Sequence, residues 1–92
     1  MTSRQVTIKN RLGLHARAAA KFVHLATGFR AQIQVSHEDR VMDGKSIMGI
    51  LLLAAACGTT ITIAGDGPDE QEALGALCQL VDTGFGEELW NA

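Results

Sequence analysis

The region that organises the chain is Asn10-Arg11-Leu12-Gly13-Leu14-His15-Ala16-Arg17, followed directly by Ala18-Ala19-Ala20-Lys21-Phe22-Val23. The first part is typical of a glycine-containing loop, and the alanine-rich part strongly favours a helix. The loop therefore delivers a histidine and an arginine to the point where a helix begins.

A helix start with these side chains suits an anion. The first amides of a helix have no partner inside the helix and lie at the positive end of its dipole, so they can hold a phosphate. Arg17 can add a charge-assisted contact to the same anion. Because imidazole is largely unprotonated near neutral pH, His15 can accept a phosphoryl group as a nucleophile. The pattern has the outline of a phosphate site, but on spacing alone a histidine at a helix start with an arginine nearby is more often local capping of the helix, so both interpretations stay open.

The rest of the chain alternates between strand and helix patterns. Residues 5–9, 31–35 and 59–64 alternate apolar and polar side chains as half-buried strands do, and residues 40–43 return as a hairpin partner after a polar turn that contains His37. Helical spacing begins at Ala16 and stops at Gly28. It begins again at Pro68, which suits a first helical position. The order predicts an α+β domain in which helices cover one face of an antiparallel sheet.

The end of the chain is less regular. Gly84 ends the last helix, and we expect Phe85 to fold back onto it beyond the cap. Residues 87–92 are expected to form a loose tail, in which Trp90 has no assignable partner.

A second informative stretch follows the hairpin, Gly44-Lys45-Ser46-Ile47-Met48-Gly49-Ile50-Leu51-Leu52-Leu53. Ser46 is a good N-cap, and a short apolar helix follows it. A helix this apolar is either a plain core helix or has a face that meets partners.

Composition narrows the class of protein. The length of ninety-two residues predicts one small domain, residues 1–92. The net charge of −2 gives no basic surface of the kind that binds nucleic acid. The N-terminus has no apolar signal region, and no stretch is long enough to span a bilayer, so a cytoplasmic protein is expected. Neither the cysteines nor the histidines have metal-ligand spacing. We therefore expect no metal site, and buried, reduced thiols at Cys57 and Cys78.

Two motifs carry a family resemblance. Gly13-Leu14-His15-Ala16-Arg17 with Ala19-Ala20, and Lys45-Ser46-Ile47-Met48-Gly49 further on, resemble the histidine-containing phosphocarrier (HPr) family of the bacterial phosphotransferase system. The resemblance runs from Val6 to about Glu88. It implies an open-faced β-sandwich with a four-stranded antiparallel sheet and three helices on one face (βαββαβα). Many members have proline after the arginine, where this chain has Ala18, so the start of the helix is less rigid.

The resemblance also implies roles for individual residues. His15 would be phosphorylated on Nδ1, Arg17 would stabilise the phosphate, and Ser46 would be a regulatory serine. The short helix would dock partner proteins, with four candidate residues: Ile47, Met48, Leu51 and Leu52.

The function implied is that of a carrier and not of an enzyme. It would take a phosphoryl group from phospho-enzyme I, charged by phosphoenolpyruvate, and pass it to a histidine on an EIIA-type domain. A serine kinase and phosphorylase would be further partners at Ser46. We expect a monomer with no cofactor. Two alternatives stay open: a nitrogen-branch paralogue with a regulatory role, and a small ligand-binding regulatory domain.

Overall fold

The computed structural model of the chain describes residues 1–87. They form β1 (Thr2–Thr7), α1 (Ala16–Thr27), β2 (Gln32–His37), β3 (Arg40–Asp43), α2 (Ile47–Leu52), β4 (Thr60–Asp66), α3 (Glu70–Asp82) and a closing 3-10 turn, Gly84–Gly86. The predicted element order is therefore confirmed.

The four strands make one antiparallel sheet in the order β1-β4-β2-β3. Inward-facing side chains meet across neighbouring strands: Val6 is opposite Ile61, and Val35 is opposite Ile63. The sheet and three helices form the open-faced β-sandwich expected for the α+β class.

The core lies between the sheet and the helices. The sheet contributes alternating apolar residues, and each long helix buries one stripe at helical spacing. The buried side chains of these elements are Ala18, Ala19, Phe22, Val23 and Ala26 of α1, Ile33 and Val35 of β2, Ile61 and Ile63 of β4, and Ala73, Leu74, Leu77 and Val81 of α3. Alternation and helical spacing thus identified the core faces correctly.

Three strands have limits different from those predicted. β1 covers Thr2–Thr7 and not residues 5–9, because its pairing with β4 continues to Thr2 opposite Gly65. β4 accordingly extends to Asp66. β2 includes His37, which pairs with Arg40 and so lies in the strand and not in the turn. Tertiary pairing, which a local pattern does not contain, sets these ends.

The start of α3 also differs from the prediction. Pro68 precedes the helix, which begins at Glu70 with Asp69 as its N-cap residue. The Asp69 carboxylate makes no capping bond, because it accepts the backbone amides of Arg30 and Ala31, each at 2.8 Å. Asp69 therefore ties the start of α3 to the segment before β2.

The far end of α3 is close to expectation. Gly84 follows the helix with a φ of +69°, and Phe85 packs back into the core with 1% of its surface exposed. The two cysteines are free thiols, but both are partly exposed and not buried as predicted. Cys57 lies in the loop before β4, and Cys78 lies at the edge of the buried stripe of α3. Trp90 and most of the predicted tail lie outside the described residues.

Candidate functional site

His15 is the N-cap residue of α1. Its backbone is extended (φ −79°, ψ 177°), and its Nδ1 atom accepts the amide of Arg17 at 3.3 Å. Its carbonyl oxygen accepts the amide of Ala19 at 2.8 Å. The ring nitrogen that the family resemblance implies as phosphoryl acceptor thus faces the amide end of the helix.

The loop before His15 is fixed by its backbone. Gly13 has a φ of +69°, and a Cβ atom there would lie 2.7 Å from the carbonyl oxygen of Ala55. The next amide, of Leu14, donates to the same oxygen at 3.0 Å. Glycine is therefore required by both conformation and space, and the loop is attached to the segment after α2.

An open cleft of about 720 Å³ surrounds His15. Arg17 is exposed, and its guanidinium makes no hydrogen bond or ion pair with residues 1–87. Lys21 lies further along α1, and its Nζ donates to the carbonyl oxygen of Phe85 at 2.7 Å. The cleft is lined by basic, acidic and apolar side chains: Arg11, Leu12, His15, Ala16, Arg17, Lys21, Gly86 and Glu87. Positive charge outweighs negative charge, which favours an anion.

Glu87 is a site residue that the sequence reasoning missed. Its carboxylate oxygens Oε1 and Oε2 lie 2.8 and 2.7 Å from Nε2 of His15, and Oε1 also accepts from Nδ2 of Asn10 at 2.9 Å. Burial opposes ionisation of Glu87, but the hydrogen bonds from His15 and Asn10 outweigh it, so the pKa of this carboxyl lies below its ordinary value. The prediction of a loose tail is wrong at residue 87.

Only one local signal bears on Glu87. The Gly84-Phe85-Gly86 sequence before it indicates a tight, anchored turn, but no sequence spacing relates residue 87 to residue 15. The contact exists because α3 returns the chain to the start of α1.

Ser46 caps α2 as predicted. Its hydroxyl oxygen accepts the amide of Gly49 at 3.1 Å, and its backbone is extended. A Cβ atom on Gly49 would lie 3.3 Å from both the carbonyl oxygen of Asp43 and Cβ of Met42, so α2 lies close against β3.

The four candidate docking residues of α2 do not share one environment. Ile47, Met48 and Leu52 are exposed to 44%, 66% and 55%, whereas Leu51 is partly buried against the core. Leu12, on the loop beside His15, is also exposed. The helix thus has an apolar outer face and a packed inner face.

The described residues offer neither a metal site nor a membrane-spanning helix. Within residues 1–87, no group of three histidine, cysteine, aspartate or glutamate side chains is arranged to bind a metal ion. Among the helices described, none has the length and apolar character needed to cross a bilayer.

The fold and the site together define a class: a small domain that presents one partly exposed histidine at a helix start, as a phosphoryl carrier does. Comparison with known proteins gives the family. The family model "PTS HPr component phosphorylation site" matches residues 2–83. The chain belongs to the HPr family of phosphocarrier proteins of the phosphotransferase system, and it is a phosphocarrier and not an enzyme.

Similar proteins carry two names within this family. The phosphocarrier protein HPr of Cupriavidus necator is 53% identical over 87 residues, which are 95% of this chain and 98% of that protein. The phosphocarrier protein NPr of Shewanella violacea is 48% identical over 84 residues, covering 91% and 92% of the two chains.

Solved structures agree on the fold. A crystal structure of HPr from Thermoanaerobacter tengcongensis matches with a TM-score of 0.92 and 44% identity over 97% of this chain and all of that one. Another structure from the same organism is described as an HPr dimer. This second structure matches with a TM-score of 0.76 and 42% identity, over 95% of this chain and all of that one.

Proposed function

We propose that this chain, as a single phosphocarrier domain over residues 1–92, accepts a phosphoryl group on Nδ1 of His15 from phospho-enzyme I and passes it to EIIA-type domains. The observation that carries the proposal is the position of His15 at the N-terminus of α1, with Nδ1 directed at the helix amides inside an open cleft. A phosphoryl group on Nδ1 would meet backbone donors and the positive end of the helix dipole.

The chemistry needs moderate stabilisation of the phosphoryl group. Arg17 is free to turn its guanidinium toward the phosphate, and the amide of Arg17, now on Nδ1, can donate to a phosphate oxygen instead. The open cleft lets a partner histidine approach the phosphorus in line with the P–N bond. These features support a carrier that both receives and releases the group.

The partner surface in this proposal is the outer face of α2 together with the loop beside His15. Ile47, Met48 and Leu52 are exposed apolar side chains of the kind that anchor docking, and Leu12 lies next to the histidine. Leu51 packs against the core, so we assign it a structural role.

We further propose that Ser46 is the target of a serine kinase and phosphorylase. A phosphate on a helix N-cap is tolerated structurally, and here it would adjoin the docking residues Ile47 and Met48. We also propose that the protein acts in the cytoplasm as a monomer. Sedimentation velocity tests its oligomeric state, and a concentration-independent dimer would contradict the monomer.

The branch of the phosphotransferase system is a separate question. Similarity to an HPr at 53% identity and to an NPr at 48% gives a small preference for the sugar branch. Parallel assays with sugar-branch and nitrogen-branch enzyme I distinguish the two, because the cognate enzyme transfers at the higher kcat/KM.

The direct test is incubation with enzyme I and labelled phosphoenolpyruvate. We expect acid-labile, alkali-stable label on the wild type and on His24→Ala and His37→Ala, and none on a folded His15→Ala variant. Label that survives in His15→Ala, or that disappears only in one of the other histidine variants, contradicts the assignment. A wild-type chain that takes no label favours the ligand-binding alternative.

A further inference from the structure

We propose that Glu87 is a positioning residue for His15: it keeps the ring proton on Nε2, leaves the lone pair on Nδ1, and stabilises the positive charge that the ring acquires on phosphorylation. The inference rests on the proposed function, which makes Nδ1 of His15 the phosphoryl acceptor.

The two ring nitrogens of His15 have opposite partners. A carboxylate can only accept hydrogen bonds, so Nε2, at 2.7 and 2.8 Å from Glu87, must carry a proton. The amide of Arg17 can only donate, so Nδ1, at 3.3 Å, must hold a lone pair. A neutral imidazole satisfies both contacts in only one tautomer, and that tautomer has its nucleophilic lone pair on Nδ1.

The surroundings of Glu87 hold its carboxylate in place. Asn10, which is fully buried, donates from Nδ2 both to Oε1 of Glu87 and to the carbonyl oxygen of Gly13, at 2.9 and 2.8 Å. Phe85, two residues earlier, is buried in the core, and Lys21 donates to its carbonyl oxygen. The Glu87 side chain is 16% exposed and that of His15 28% exposed. The contact is therefore part of a packed arrangement that also includes the loop that carries His15.

The phosphoryl transfer step explains why a carboxylate is useful there. The lone pair on Nδ1 forms a bond to phosphorus as the P–N bond of the phosphohistidine in the donor breaks, and the donor imidazole leaves with that electron pair. No proton moves at Nε2, so the His15 ring becomes a phosphorylated imidazolium with its positive charge beside Glu87. In the return step the acceptor attacks phosphorus and the neutral Nε2–H imidazole leaves. An aspartate or glutamate behind a histidine has the same two roles in hydrolase triads.

The test compares Glu87→Ala with Glu38→Ala. Glu38 provides a matched control because it also lies beside a histidine, at 3.8 Å from Nε2 of His37, but is largely exposed on the β2–β3 turn. Long-range ¹H–¹⁵N spectra of the neutral ring report its tautomer. We expect wild type and Glu38→Ala to show Nε2–H only, and Glu87→Ala to show a mixture. A wild-type ring that is protonated on Nδ1, or an unchanged tautomer in Glu87→Ala, overturns the proposal.

Transfer kinetics test the role of the charge. Loss of a charged hydrogen-bond partner is expected to lower kcat for transfer from phospho-enzyme I roughly tenfold in Glu87→Ala, with KM little changed. Glu87→Gln keeps the size of the side chain and one acceptor oxygen, so it should fold like wild type and transfer at an intermediate rate. Wild-type kcat in both variants overturns the proposal.

The tautomer spectra and the labelling by enzyme I test different proposals, so one can be contradicted without the other. The spectra need no partner protein, so they test Glu87 even if enzyme I does not phosphorylate the chain. A wild-type protein without label would contradict the proposed function and leave the tautomer result standing.

Discussion

Gly13 lies directly against the backbone of Ala55, so close that a Cβ atom on Gly13 would come within 2.7 Å of the Ala55 carbonyl oxygen. The same oxygen accepts the amide of Leu14, one residue before the site histidine. The segment that follows α2 therefore fixes the loop that presents His15. The loop before α1 and the segment after α2 are in contact through backbone atoms, so no change of side-chain rotamer can relieve the contact.

The first prediction concerns this contact. Gly13→Ala should lower the free energy of unfolding by more than about 1 kcal/mol, because a left-handed backbone and a clash add together. It should also slow transfer to His15, since the loop must move to admit the methyl group. Gly58→Ala is the control, because Gly58 has a φ of +90° but no atom within 4 Å of its Cβ position. Equal losses of stability in the two variants would mean that the clash with Ala55 adds nothing to the strain of the left-handed backbone.

The second prediction concerns Arg17. Arg17→Ala should slow transfer both from phospho-enzyme I and to an EIIA domain while leaving His15 phosphorylatable. The reason is that, in the proposed function, its exposed guanidinium stabilises the phosphoryl group during transfer in either direction. Stopped-flow or quench measurements with purified partners give both rates. Arg30→Ala, at another exposed position, should transfer normally. Unchanged rates for Arg17→Ala in both directions would remove Arg17 from the site.

The third prediction uses the pH dependence of Asp69. Hydrogen bonds from the backbone, first that of Arg30 and then that of Ala31, outweigh desolvation and lower the pKa of the Asp69 carboxyl below its ordinary value of 3.8. A carboxyl with a lowered pKa in the folded state contributes stability above its ordinary pKa and loses it as the pH falls through the folded value. An asparagine side chain has one acceptor oxygen, so in Asp69→Asn the NH₂ group would face one of the two donor amides. The variant should therefore have a lower Tm than wild type at pH 7.

Thermal unfolding at several pH values checks this. The difference in Tm between wild type and Asp69→Asn should shrink as the pH falls from the ordinary carboxyl pKa of 3.8 down through the lower pKa of the folded state, where the native carboxyl becomes protonated. Asp39→Asn, on the exposed turn, should differ little from wild type at any pH. A pH-independent difference for Asp69→Asn would mean that the charge on Asp69 does not strengthen the two hydrogen bonds.

These contacts show what the sequence can predict. Element order, core faces and the cap at Ser46 follow from patterns within a few residues: alternation in strands, helical spacing in α1 and α3, and a serine before an apolar run. The histidine at a helix start follows from the same kind of local pattern, because a loop with Gly13 precedes an alanine-rich segment.

The remaining features depend on contacts between distant parts of the chain. Asp69 is a residue type typical of a helix start, yet its carboxylate accepts the amides of Arg30 and Ala31 before β2, and the helix begins at Glu70. Glu87 and His15 meet only because α3 and the buried Phe85 return the chain to the start of α1. No periodicity within either segment contains that information.

The fourth prediction concerns the cap of α2. Ser46→Ala should lower the free energy of unfolding by roughly 1 kcal/mol, because the amide of Gly49 loses its acceptor at the start of a six-residue helix. Transfer from phospho-enzyme I should stay nearly normal, since neither His15 nor the exposed apolar face of α2 changes. Ser3→Ala, on the exposed side of β1, is the control and should leave stability unchanged. A Ser46→Ala protein as stable as wild type would mean that water caps the helix equally well.

The fifth prediction separates capping from regulation at the same residue. Ser46→Asp should keep Tm at or above the wild-type value, because aspartate is also a good N-cap and its charge is favourable at a helix N-terminus. It should nevertheless slow transfer from enzyme I to His15 several-fold, since a negative charge then lies beside the exposed apolar residues Ile47 and Met48 that we propose dock the partner. Ser46→Asn is the matched control: it can cap the helix without the charge, so both its Tm and its transfer rate should stay near wild type. Melting curves and transfer rates measured on the three proteins test the scheme. If Ser46→Asp accepts phosphate at the wild-type rate, the regulatory role of Ser46 is wrong, and the assignment of His15 is unaffected.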